Sequence, residues 1–167
     1  IEPFYVMEVA KAAAERAALV AHTDAPMIFL NIGEPDFTAP PLVQEAAARA
    51  VHDGVTQYTP ALGISELRER ISAWYSTRFG VNVPARRIVI TAGASAALQL
   101  ACLALIEAGD EVLMPDPSYP CNRHFVSAAE GRAVLVPTTA AERFQLSAAQ
   151  VRANWTAHTR GVLLASP

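Results

Sequence analysis

An α/β fold, a mostly parallel sheet with helices on both faces, is what this sequence predicts, and three observations predict it. From Arg87 onward, short β-branched or apolar runs alternate with longer helical patterns. Glycine and proline punctuate each change of pattern. Apolar residues make up 52% of the chain against 17% charged, enough to bury a core. Strands alternating with helices at this spacing imply βαβ units and parallel pairing.

The elements follow in order. Phe4 to about Ala21 is rich in Ala and Glu and reads as a helix, with Met7, Ala10, Ala14, Ala17 and Val20 at helical spacing. A short apolar piece, Met27 to Ile32, leads into Gly33-Glu34-Pro35-Asp36-Phe37, which is turn chemistry. Pro40-Pro41 opens a helix at the one turn where proline is tolerated. That helix carries Leu42, Val43, Ala46, Ala50 and Val51 on one face and ends at Asp53-Gly54. An irregular link bears Tyr58 and Pro60. The next helix has Ile64, Leu67, Ile71, Trp74 and Tyr75 on one face and stops at Gly80. Strands are then expected over Arg87–Thr91, Glu111–Pro115, Arg132–Pro137 and Gly161–Ala165. Helices are expected over Ala94–Ala108, closed by Gly109, and over Ser118–Ala129. Ser147-Ala-Ala-Gln150 has the spacing of a capping box and starts a short helix.

Composition excludes several classes. Net charge is −3 with the signs mixed and no Lys/Arg run, which argues against a nucleic-acid partner. No apolar stretch reaches the roughly 18 residues of a membrane span; the longest candidate, 94–108, contains Ser95, Gln99 and Glu107. Cys102 and Cys121 form no disulfide framework or CxxC pair, and the four histidines lack ligand spacing, so no metal is expected. A reducing, cytoplasmic compartment is the expectation. Ile1 stands where an initiator Met would, so it is not expected to be the natural start.

Ligands of open α/β sheets bind outside the carboxyl ends of the strands, and three such ends are unusual here. Thr91-Ala92-Gly93-Ala94-Ser95 joins a strand to a helix with small residues. Its free first-turn N–H groups and the Ser95 hydroxyl would suit an anion such as phosphate. A tight turn that needs small residues for packing accounts for it equally well. Asp116-Pro117-Ser118-Tyr119-Pro120 is an elbow between two prolines, with an aromatic that could stack on a planar ring or simply pack. Ala165-Ser166-Pro167 is the third.

Taken together, Asn31-Ile32-Gly33-Glu34-Pro35-Asp36-Phe37, Gln57-Tyr58-Thr59-Pro60-Ala61-Leu62-Gly63, Leu67-Arg68, Thr91-Ala92-Gly93-Ala94-Ser95-Ala96-Ala97-Leu98, Gly109-Asp110-Glu111-Val112-Leu113 and Pro117-Ser118-Tyr119-Pro120 resemble, in order and spacing, the class I/II aminotransferases of pyridoxal-phosphate (PLP) fold type I. The resemblance implies an N-terminal helical arm with part of a small domain over 1–38, and the first, incomplete part of a PLP-binding large domain over 39–167. It implies pyridoxal 5′-phosphate as cofactor, with an amino acid and a 2-oxo acid as substrates. Ala94 and Ser95 match the pair that holds the cofactor phosphate, and Tyr119 the aromatic stacked on its ring. Gly33 matches the glycine whose N–H touches the substrate carboxylate. Tyr58 matches a tyrosine that reaches the partner's cofactor phosphate, which implies a homodimer; a loop tyrosine packed locally is the alternative. Glu34 and Asp36 become structural loop residues, and Phe4 or Tyr5 would border the substrate pocket.

The resemblance also says what these residues lack. The single lysine, Lys11, sits on a solvated helix face, and family order places the Schiff-base lysine beyond Pro167. The Asn-Pro-Thr-Gly motif, the acid at the pyridine nitrogen and the carboxylate-binding arginine would follow as well. The first strand, 87–91, would pair with strands found later in the family's chain. Pro167 is therefore not expected to be a natural terminus, and this stretch alone is expected to be catalytically silent. A carbon–sulfur β-lyase and the PLP-sensing domain of a transcription regulator share these features and stay open at this point.

Overall fold

The computed structural model describes residues 5–165; Phe4, Ser166 and Pro167 lie outside the described residues. The chain divides into two compact units, one running to Ile64 and the other from Ser65 onward.

The first unit contains α1 (Tyr5–Val20) and α2 (Pro41–His52). Pro40 is the N-cap of α2 and Pro41 its first residue, where a missing N–H costs nothing. Gly54, at φ +73°, turns the chain out of the helix. The Val55 N–H then reaches the Ala50 carbonyl at 2.9 Å and closes the helix end. Leu42, Val43 and Val51, the apolar stripe read from the sequence, are exposed.

The second unit holds α3 (Ser65–Phe79), a 3-10 turn (Ala85–Arg87), α4 (Gly93–Leu105), β1 (Glu111–Asp116), α5 (Cys121–Ala128), β2 (Arg132–Pro137), a second 3-10 turn (Ala140–Glu142), α6 (Ala148–Asn154) and β3 (Thr159–Val162). The sheet runs β2-β1-β3 with both pairings parallel. β1 is the central strand, and its first five residues are buried. A strand covered on both faces reads as a continuous apolar run rather than an alternating one, which is why Val112-Leu113-Met114-Pro115 carries no period. Leu113, Met114 and Val126 are fully buried. Cys102 of α4 and Val126 and Ala129 of the α5 region pack with Val112 and Met114 into one core.

Four expected elements differ from those found; the helix expected from Ser118 to Ala129 runs from Cys121 to Ala128, with Pro120 as its N-cap. Arg87–Thr91 does not form a strand: its first residue closes the 3-10 turn, and 88–91 joins no ladder among the described residues. Ile88 is extended, at φ −105° and ψ 128°, and buried. A β-branched run fixes an extended backbone, but a strand also needs a neighbour to pair with. α4 ends at Leu105, short of the expected Ala108, because Ile106 turns extended and the Asp110 carboxylate accepts the Glu107 N–H at 2.9 Å. Gly109, at φ +88°, completes that turn. β3 begins at Thr159, two residues earlier than expected, and contains a bulge. Glu111 pairs with Thr159 but Val112 with Gly161, leaving Arg160 as the extra residue. Arg160 uses that freedom to donate from Nε to the Leu105 carbonyl at 2.8 Å, a cation at the C-terminus of α4. The capping box of α6 forms as expected: Gln150 N–H donates to Ser147 Oγ at 3.2 Å, and Ser147 N–H to Gln150 Oε1 at 2.8 Å.

The amino ends of the three strands are tied by one buried carboxylate. Glu111 of β1 accepts hydrogen bonds from Arg132, its register partner on β2, and from the Thr156 hydroxyl at 2.8 Å, just ahead of β3. The Thr156 bond, followed by the Arg132 guanidinium, holds the Glu111 carboxyl below its ordinary value. A carboxyl depressed in the folded state stabilises above the unfolded glutamate value of about 4.3 and loses that contribution as pH falls through its folded value. Glu111→Gln is therefore expected to unfold at a lower temperature than wild type near neutrality. The two midpoints should converge as pH is lowered from about 7 to about 3. A difference that stays constant over that range would mean the charge of Glu111 is not the source.

Candidate functional site

Arg160 at the start of β3 touches the C-terminal carbonyl of α4, while Leu98, two turns earlier in α4, lines one cavity with Val162 and Leu163 further along the chain, so α4 runs antiparallel to the strands. A helix of 13 residues and a strand of six each span about 20 Å. The start of α4 therefore lies at the carboxyl end of the sheet, the end where β1 runs into Pro117-Ser118-Tyr119-Pro120. Ala94, Ser95 and Tyr119 share that end of the second unit. Gly33 and Tyr58 belong to the first unit.

The start of α4 is built from small residues that leave its backbone bare. Ala92 is the N-cap and offers no side-chain acceptor. Gly93 takes φ +81°, and a Cβ placed there would meet nothing within 4 Å. The Thr91 hydroxyl donates to the Gly93 carbonyl at 2.9 Å, and the Gly93 N–H to the Thr91 carbonyl at 2.8 Å, which tightens the turn into the helix. Ala94 and Ser95 follow in the first helical turn, both exposed. First-turn N–H groups have no intrahelical partner, and without a side-chain cap they suit an anion. This donor set fits a phosphate.

At the end of β1 the Asp116–Pro117 peptide is cis. The Asp116 carbonyl accepts from the Thr138 N–H at 2.9 Å and its hydroxyl at 3.1 Å, and the Asp116 carboxylate meets Arg123 at 3.4 Å. These bonds fix the base of the elbow, while Tyr119 stands 53% exposed at its crest. Its phenol is pushed above the ordinary tyrosine value, first by the hydrogen bond with the Cys121 thiol, then by that group's charge. The Ser118 hydroxyl is buried without a hydrogen-bond partner.

In the first unit, Gly33 lies in an exposed loop with no atom within 4 Å of an added Cβ. The Tyr58 side chain is wholly exposed. Glu34 and Asp36 are exposed loop residues, and Lys11 sits exposed on α1. Two structural contributors were not assigned from the sequence. Arg123 pairs with Asp116, seven residues back at the end of β1, and Arg68 reaches the segment ahead of α4 through partners 17 and 20 residues away.

A model of the aminotransferase class I and II family matches residues 25–167, and the chain belongs to that family. Over its whole length it is 43% identical to the valine–pyruvate aminotransferase of Mycobacterium tuberculosis, covering 42% of that protein. An aspartate aminotransferase of Rhizobium meliloti is 37% identical over 97% of the chain, with 39% of its own length covered. An aminotransferase crystal structure from M. tuberculosis superposes at a TM-score of 0.89 and 43% identity, over all of this chain and 42% of that one. A Thermus thermophilus aspartate aminotransferase mutant gives 0.85 at 31% identity, over 98% of this chain and 42% of that one. The chain thus spans about 42% of the length of such relatives.

The Tyr119–Cys121 contact is open to direct titration. Cys121→Ala should bring the Tyr119 phenol back down toward the ordinary value of about 10. Ultraviolet titration reads this shift, with Tyr119→Phe subtracting the other tyrosines. An unchanged Tyr119 titration would remove the thiol as its cause.

Proposed function

We propose that this chain is the cofactor-holding front part of an aminotransferase that moves an amino group between an amino acid and a 2-oxo acid. The observation that carries the proposal is the uncapped, exposed start of α4. Ser95 lies in its first turn, at the same end of the sheet as Tyr119. Class I/II aminotransferases depend on PLP, and the donor set fits that cofactor's phosphate.

In this reading the Ala94 and Ser95 N–H groups and the Ser95 hydroxyl hold the phosphate, worth most because the ligand is charged. Tyr119 lays its ring against the pyridine. The Gly33 N–H binds the α-carboxylate of the substrate. Tyr58, exposed in its loop, donates its hydroxyl to the phosphate in the other protomer of a homodimer, so each site draws on two chains. The arm over 1–38 and the cofactor domain over 39–167 divide these tasks. PLP, when bound, supplies the electron sink for the chemistry at the substrate α-carbon. Lys11 takes no part; the reacting lysine belongs to the part of the protein beyond Pro167. The free thiols of Cys102 and Cys121 suit a reducing, cytoplasmic setting.

The test uses the full-length protein. It should bind PLP and transaminate, with valine and pyruvate and with aspartate as first substrates to try. Ser95→Ala should weaken PLP binding at least about tenfold, the loss of one hydrogen bond to a charged group. Lys11→Ala should leave the affinity and the absorbance of bound PLP unchanged. Full PLP affinity in Ser95→Ala would discard the phosphate seat, and a changed spectrum in Lys11→Ala would discard the outside lysine.

A further inference from the structure

The segment that delivers the chain to the start of α4 is held in an unusual way. Residues 88–91 join no ladder among the described residues, although Ile88 itself is extended. Side chains of α3 hold its entry instead. Arg68 donates from Nε to the carbonyls of Ala85 at 3.2 Å and Ile88 at 3.1 Å, and from Nη2 to Ala85 at 2.9 Å. One turn further along α3, the Ser72 hydroxyl donates to the Val83 carbonyl at 2.6 Å. Ile88 is buried, while its neighbour Val89 is 50% exposed. The clamp thus sits at the buried residue Ile88, three positions ahead of Thr91.

We propose that Arg68 is a positioning residue for the phosphate seat, aiming the 88–91 segment and with it the first turn of α4. The proposal rests on the reading of Ala94 and Ser95 as that seat. Its geometry is that of a lever. Ile88 to Thr91 spans at most about 10 Å of chain. A tilt of about 10° at Ile88 therefore shifts the turn at Thr91 by about 2 Å, beyond the roughly 0.5 Å that a preorganised site tolerates. A guanidinium suits the task because its planar fork binds two carbonyls at once in one orientation. A lysine ammonium offers a single point on a flexible stem.

The experiment compares PLP with pyridoxal, which lacks the phosphate, in the full-length protein, together with the thermal midpoint. Wild type should prefer PLP. Arg68→Gln should cut the ratio of PLP to pyridoxal affinity about tenfold while pyridoxal affinity holds. Arg68→Lys should fall between the two. Affinities for both ligands dropping together, or a ratio unchanged from wild type, would overturn the role and leave Arg68 as a stabilising contact only. Should Arg68→Gln not fold, the same ratio in Arg68→Lys decides, and an unchanged value overturns the proposal. Equal affinity of wild type for the two ligands would remove the phosphate seat itself. That outcome differs from failure of Arg68 alone, in which wild type keeps its preference.

Discussion

Parallel pairing of β1 on both sides constrains everything else in the second unit. A strand with partners left and right and layers above and below has no polar outlet, so Val112, Leu113 and Met114 must be apolar and fully enclosed. Its two ends are then the only places where polar chemistry can sit. At the amino end Glu111 spends its charge inward, on Arg132 and Thr156, and Arg160 closes α4 beside it. Polar groups there satisfy one another. At the carboxyl end the main-chain groups of Asp116 are satisfied, but the α4 N–H groups and the Tyr119 ring face outward. Polar groups are locked together at one end of the sheet and left open at the other.

The sequence disclosed most of the element order, because helical spacing in α1 and α3, proline at the start of α2 and the Ser147–Gln150 box are local signals. What it concealed was non-local. The RIVIT run has the composition of a strand, but pairing is a property of two segments, and 88–91 finds no partner among the described residues. The bulge at Arg160 depends on an α4 carbonyl 55 residues away, so nothing near Gly161 could announce that β3 starts early. Asp110 ends α4 through its own side chain, a local event hidden by the apolar run that continues to Ala108.

The site was legible to a different degree. From residue chemistry alone, Thr91 to Ser95 is as good a packing turn as an anion seat. Only the ordered set of motifs, from Asn31 to Pro120, tilts it toward a phosphate. The structure adds that the turn is exposed and that a Cβ at Gly93 would touch nothing, which packing alone does not demand. Tyr58 was open between a packed loop tyrosine and one that reaches outward, and it stands exposed in its loop. Arg68 was visible as part of Leu67-Arg68 but without a role, since its carbonyl partners lie 17 and 20 residues along the chain.

Comparison with α5 and α6, the other helices that follow the strands β1 and β2, shows what sets the start of α4 apart. Like α4, α6 follows the carboxyl end of a strand, β2, to which Gln150 ties it through the Pro137 carbonyl. Its first turn is closed by Ser147 and Gln150, so its donors are already satisfied. α5 begins behind Pro120 with no side-chain cap, but Cys121 is half-buried and Asn122 buried, so its first turn faces the interior. α4 alone among the three is both uncapped and exposed. A Ser, Thr, Asp or Asn cap stabilises a helix by about 1 kcal/mol, and Ala92 forgoes it. Local rules are broken in folded chains where a ligand supplies the missing partner. The absent cap therefore argues for binding more strongly than the small residues around it, which a tight turn would require in any case.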